Sequence, residues 1–167
     1  NAEYAMVTTV DGGEYAGVWG VGGGDGAVLN GNSKLIVKSG IFNGYSDASV
    51  SFPYAVMGAG RNAQVNGNCV TEIYGGTFNA LTTAGTAAAG SSNAKPVNGN
   101  VTLYIYGGEF YGKVNANGAF IKEGIVASGE AKVIFNAQDA IKIGKNTNIA
   151  DFKRELKLNE VYYSMKK

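Results

Sequence analysis

Residues 31–42 read GNSKLIVKSGIF, residues 67–78 read GNCVTEIYGGTF and residues 99–110 read GNVTLYIYGGEF. Gly-Asn opens each phrase and Gly-X-Phe closes it at the same distance. A weaker copy, GEAKVIFNAQDA, fills 129–140, and a truncated one ends in VDGGEY at 10–15. Taking the first small residue of each closing turn as a marker gives Gly12, Ser39, Gly75, Gly107 and Ala137, at spacings of 27, 36, 32 and 30 residues. Helical repeats hold a constant unit length because their packing fixes it. Unequal spacings suit a solenoid whose loops vary on one side.

Inside the phrase the period is two, which means strand. Two and four positions before the markers stand Val10 and Thr8, Val37 and Leu35, Ile73 and Thr71, Ile105 and Leu103, Phe135 and Val133. These are expected to point inward and to stack on their counterparts about 4.8 Å away. Between them lie Lys38 and Ile36, Tyr74 and Glu72, Tyr106 and Tyr104, Asn136 and Ile134, which are expected to face outward. Three positions past the marker an aromatic recurs as Tyr15, Phe42, Phe78 and Phe110, and Ala140 breaks the series. Asn32, Asn68 and Asn100 share one repeat position. They predict an Asn ladder at a corner, with amides bonding to each other and to turn backbone.

Composition agrees with a corner-rich fold. There are 26 glycines in 167 residues and two prolines, above the usual glycine share of about 7% and without a Gly-X-Y period. Net charge is +1, so no global field favours nucleic acid. Seven of the 14 basic residues lie between Lys142 and Lys167, in a segment that Asp151, Glu155 and Glu160 partly offset. No apolar run approaches the roughly 20 residues that span a bilayer. The chain starts at Asn1 rather than Met, which fits a processed secreted protein or an excised fragment. Cys69 has no second cysteine to pair with, and its inward parity, shared with Met6, Ser33, Val101 and Ala131, predicts a small buried hydrophobe.

Short apolar runs at 17–23, 54–60 and 119–128 are expected to fill the other faces of each coil, with 80–98 a flat strand of small side chains or a long surface loop. From Asn148 onward glycine disappears and charge rises. Residues 148–167 are therefore expected to cap the open end, as a short helix begun at Asp151 or as one more strand that leaves the body.

Catalytic chemistry is poorly provided for. Histidine is absent, which removes the commonest general base and metal ligand. A glycosidase needs two facing carboxylates, and the 13 acids are scattered. Glu14, Glu109 and Asp139 share a repeat position, but Ile41 and Thr77 separate the first from the others; adjacent coils can make neighbours of Glu109 and Asp139, on a platform short for a sugar chain. The glycine-rich stretch VGGGDG at 21–26 lacks the Lys-Ser/Thr of a phosphate-binding loop. Tyr74, Tyr104 and Tyr106 share outward parity on neighbouring copies and form the candidate contact surface, for another subunit or for sugar rings.

The phrases IYGGTF at 73–78 and IYGGEF at 105–110 resemble the β-helix repeats of microbial cell-surface, adhesin-like proteins, over roughly residues 8–140. The resemblance implies a right-handed parallel β-helix and an extracellular location, and it carries no catalytic residues, because the shared motif serves turn and core. The expected molecule is all-β, with a solenoid domain of about five coils over 1–147 and a cap over 148–167. The expected role is a cell-surface structural protein that assembles with itself, laterally or head to tail, without cofactor, metal or nucleic acid. An adhesin-like module binding glycan or host protein through the Tyr face is the alternative, and a polysaccharide lyase or hydrolase ranks behind both.

Overall fold

The computed structural model describes residues 3–21, 27–44, 56–57, 64–82, 97–115, 128–145 and 147–149. Its strands are β1 (Met6–Tyr15), β2 (Val18–Trp19), β3 (Val28–Asn30), β4 (Ser33–Phe42), β5 (Val56–Met57), β6 (Gln64–Asn66) and β7 (Cys69–Ile73). They continue with β8 (Thr77–Thr82), β9 (Val101–Ile105), β10 (Gly108–Asn115), β11 (Ala131–Phe135), β12 (Ile141–Ile143) and β13 (Asn148–Ile149). Among the described residues there is no helix, and the paired strands run parallel.

Most strands join one curled sheet. On one side of the bend the order is β1, β4, β7, β9, β11; on the other, β4 is followed by β8, β10 and β12. β1 and β4 run through the bend unbroken, whereas later copies split there into two strands. A second sheet, β3 with β6, leads into β4 and β7, and a bridge from Val65 to Val97 extends it to the approach to β9. Among the described residues, no strand lies beyond the outer edges of β1 at one end and β11 at the other.

Register follows the period-two reading. Met6, Ser33, Cys69, Val101 and Ala131 form one column, and Val10, Val37, Ile73, Ile105 and Phe135 another. Leu35, Val37, Ile73, Leu103, Ile105 and Val133 are fully buried, each contributing roughly 1.5–3 kcal/mol by leaving water. Tyr15, Phe42, Phe78 and Phe110 stack in one file at ring-centroid separations of 5.5, 4.8 and 5.3 Å, nearly parallel throughout. The chain reaches this file through a corner at which Gly76 and Gly108 have φ of 110° and 109°, a region that side chains with a Cβ avoid.

The last copy departs from the sequence register. Ala131 pairs with Val101, but past the turn Ile143, not Ala140, pairs with Phe110. Its turn is therefore three residues longer, and the aromatic file ends on an aliphatic residue instead of breaking. The first copy is also irregular: Asp11, rather than Gly12, meets Ser39, and regular pairing resumes at Glu14 opposite Ile41.

Of the expected cap, Asn148–Ile149 form β13 against Lys113–Val114, and residues 150–167 lie outside the described residues. So do 22–26, 83–96 and 119–127, which contain most of the glycine-rich stretch and of two expected faces.

Among the described residues two polar side chains enter the apolar interior, Ser33, whose hydroxyl is hydrogen-bonded, and Thr71. Thr71 is fully buried between Leu35 and Leu103, and its hydroxyl has no hydrogen-bond partner among the described residues. An unsatisfied hydroxyl in such a place costs about 1–3 kcal/mol. Thr71→Val keeps the shape and removes the hydroxyl, so it is expected to stabilise the fold by about 1–2 kcal/mol. A thermal melt checks this: the midpoint should rise by about 2–6 °C, and an unchanged or lower midpoint would mean the hydroxyl is satisfied.

Candidate contact surface

Strand alternation sends Lys34, Ile36 and Lys38 of β4 outward, with Glu72 and then Tyr74 beside them, followed by Tyr104 and Tyr106 in the next copy. The three tyrosines do meet. The Tyr106 ring stacks on Tyr74 at 4.7 Å and lies parallel to Tyr104 at 6.0 Å. Tyr74 is exposed, and Tyr104 and Tyr106 are half-buried. Because the rings face one another, their edges and hydroxyls are what the cluster offers to water. Such a surface favours hydrogen bonding over stacking on a flat ligand.

The cluster extends further than the tyrosines. The Tyr74 hydroxyl donates to Glu72 Oε2 at 3.2 Å, and Lys34 Nζ lies 2.8 Å from Glu72 Oε1. The same ammonium sits 4.7 Å from the centroid of the Tyr4 ring, a cation–π contact. Burial, with Glu72 and the neighbouring tyrosines assisting, pushes the Tyr106 phenol up to about 12. Tyr74 is raised by burial and by Glu72, while Lys34 is raised by its bond to Glu72 against the opposing effect of burial. The Tyr106 phenol is neutral at ordinary pH, as an unshifted one is, and the shift moves its ionisation further into the alkaline range. Beside it Asn100, Thr102, Tyr104, Glu130, Lys132 and Ile134 line an open depression across the last two copies. Of these, the sequence reading singled out only Tyr104 and Asn100 as candidates.

A second polar group sits past the bend. Glu109 takes a hydrogen bond from the Tyr111 hydroxyl at 2.7 Å and pairs with Lys142. Lys142 occupies the position next to Glu109 that the sequence register gave to Asp139. The longer turn displaces Asp139, whose Oδ1 accepts the Ala140 backbone N–H. Across the ladder Glu109 therefore faces Lys142 and not Asp139. Among the described residues no group of three or more His, Cys, Asp or Glu is placed to hold a metal. Cys69 is buried, accepts a hydrogen bond from the Ser33 hydroxyl at 3.2 Å, and has its thiol pushed up to about 11 by burial.

The corner asparagines form two ladders. Asn32 Oδ1 accepts the Asn68 backbone N–H at 2.9 Å, Asn68 Oδ1 accepts that of Asn100 at 2.8 Å, and Asn100 Oδ1 accepts that of Glu130 at 2.8 Å. This file bonds side chain to backbone. The amide-to-amide file lies two residues earlier: Asn66 Nδ2 donates to Asn30 Oδ1 at 2.7 Å, and Asn98 Nδ2 to Asn66 Oδ1 at 2.9 Å. The repeated triplet is thus Asn-Gly-Asn at 30–32, 66–68 and 98–100, a signal that was present in full.

No family model, curated protein or solved structure matches the chain.

Proposed function

We propose that the chain is a β-solenoid of five coils that serves outside the cell as a structural protein, assembling with copies of itself into a layer, sheath or fibre. The observation that carries the reading is the file of like residues, in register through successive copies, between two terminal strands with no described neighbour beyond them. A parallel stack of this kind is extended by any strand that matches its edge. Contacts that do not close on themselves then give filaments. The right hand of the coil and the extracellular setting come from the resemblance of the IYGG-X-F phrases. Residues 148–167 as a cap, or as a strand exchanged between copies, belong to the same proposal.

A second reading has its own support in the tyrosine cluster and the depression beside it, which would suit an adhesin-like module holding a hydroxyl-rich ligand such as a glycan. Electron microscopy of the purified chain over a concentration series separates the two. Ordered filaments, tubes or sheets that appear with rising concentration are the expected result. Dispersed single particles at every concentration would overturn the structural reading and leave the binding module in its place.

A further inference from the structure

The geometry points to a head-to-tail joint between copies, in which β1 of one copy adds in parallel register to β11 and β12 of another. This rests on the assembling role proposed above and specifies its polarity and its contacts.

The two ends differ in charge. Residues 3–21, which carry the β1 edge, hold Glu3, Asp11 and Glu14 and no Lys or Arg. Residues 128–149, at the other end, hold Lys132, Lys142 and Lys145 against Glu130 and Asp139. An acidic edge and a predominantly basic edge attract, and identical edges repel, so the charge pattern selects head to tail over head to head.

Register sharpens the match. Glu14, Ile41, Thr77, Glu109 and Lys142 form one outward column. Continued by one rung, that column sets Glu14 of an added copy beside Lys142, which then lies between two carboxylates. The neighbouring inward column runs Tyr15, Phe42, Phe78, Phe110, Ile143. The same step lays the added Tyr15 ring over Ile143 and continues the core file. On the other side of the bend Val10 of the added copy would meet Phe135. Both are 8% exposed, whereas the residues between them in that column, Val37, Ile73 and Ile105, are at 0%. Each end of the core is thus slightly open where the joint would close it. The rival occupant of the basic edge is the chain's own segment 150–167.

The test uses full-length chains carrying Glu14→Lys or Lys142→Glu, read by mass photometry and sedimentation. Each variant alone is expected to need about tenfold more protein, or more, to assemble than the parent chain. An equimolar mixture should regain assembly, as alternating copies, because each joint between unlike variants again sets opposite charges together, native at one joint and reversed at the next. Lys142→Gln, which adds no repulsion against Glu109, should show the same direction and guards against misfolding of the reversal. If the parent assembles and the variants assemble equally well, the joint is elsewhere and this inference falls while the assembling role stands. If the parent does not assemble at any concentration, as when 150–167 covers the edge, both fall.

Discussion

Gly67→Ala is expected to cost about 3 kcal/mol or more of stability, enough to leave much of a marginally stable chain unfolded. The reason is room rather than backbone conformation. A Cβ at Gly67 would stand 2.5 Å from the Gly31 carbonyl carbon and 2.8 Å from Asn32 Oδ1, and closer still to the Gly31 oxygen. None of these atoms yields easily. The Gly31 N–H donates to Asn66 O at 3.2 Å, and Asn32 Oδ1 holds the Asn68 N–H. Moving either strand lengthens the bonds that define the corner. Gly99 rests on Gly67 in the same way, so the displacement would pass to the next copy. Gly144→Ala is the control, since its methyl meets the ring of exposed Tyr111, which can turn at the cost of its hydrogen bond to Glu109, and stands 3.2 Å from the Phe110 oxygen, a contact that yields with a shift of a few tenths of an ångström. Urea unfolding should give a far lower midpoint for Gly67→Ala with an unchanged slope, and only a small shift for Gly144→Ala. Equal small shifts would show that the corner is looser than the stacking requires.

Phe78→Ala should lose about 3–5 kcal/mol, the usual range for emptying a buried aromatic site. Phe78 is fully buried and has a ring on each face, Phe42 on one side and Phe110 on the other. Its removal forfeits two ring pairs, each worth about 0.5–1.5 kcal/mol beyond area. Neither neighbour can close the gap, because each is fixed by its own strand one rung away. Tyr15→Ala, at the end of the file with one ring partner among the described residues, should lose roughly half as much. Chemical denaturation of both variants checks the pair. A Phe78→Ala loss no larger than that of Tyr15→Ala would mean the file is not continuous.

Strand, face and column were legible because in-register stacking asks for the same chemistry at the same position in each copy. Leu35, Thr71 and Leu103 could be aligned by eye, and the odd residue out, Thr71, is also the one that sits unsatisfied. Legibility failed where turn length changed. Aligning the last copy on Ala137 placed Ala140 on the aromatic file, yet the ladder resumes wherever an apolar residue can enter the core. The alternation of Ile141, Lys142 and Ile143 marked that place, with the lysine outward. The asparagine corner was found at Asn32 and missed at Asn30, since an amide both donates and accepts and the sequence does not say which bond it makes. The contact surface is the least legible part. Tyr104 and Tyr106 have outward parity, but only folding brings Glu130 and Lys132 beside Tyr104, and residues that serve turns and core keep no record of a partner.

The Asn-Gly corners also set how this protein ages. Asn30, Asn66 and Asn98 each precede glycine, the setting in which a main-chain nitrogen most readily attacks the side-chain amide and expels ammonia, giving a cyclic imide that water then opens to aspartate or to a backbone lengthened by one methylene. Asn66 is expected to change last, because its amide is held from both sides, donating to Asn30 and accepting from Asn98 and Gln64. Once it does, the donor to Asn30 is gone and a carboxylate oxygen faces the Asn30 amide oxygen in its place. A lengthened backbone at that point would no longer fit the spacing of its neighbours. The triplet that locks one copy to the next is thus also a slow clock, and it runs fastest where the lock is already open.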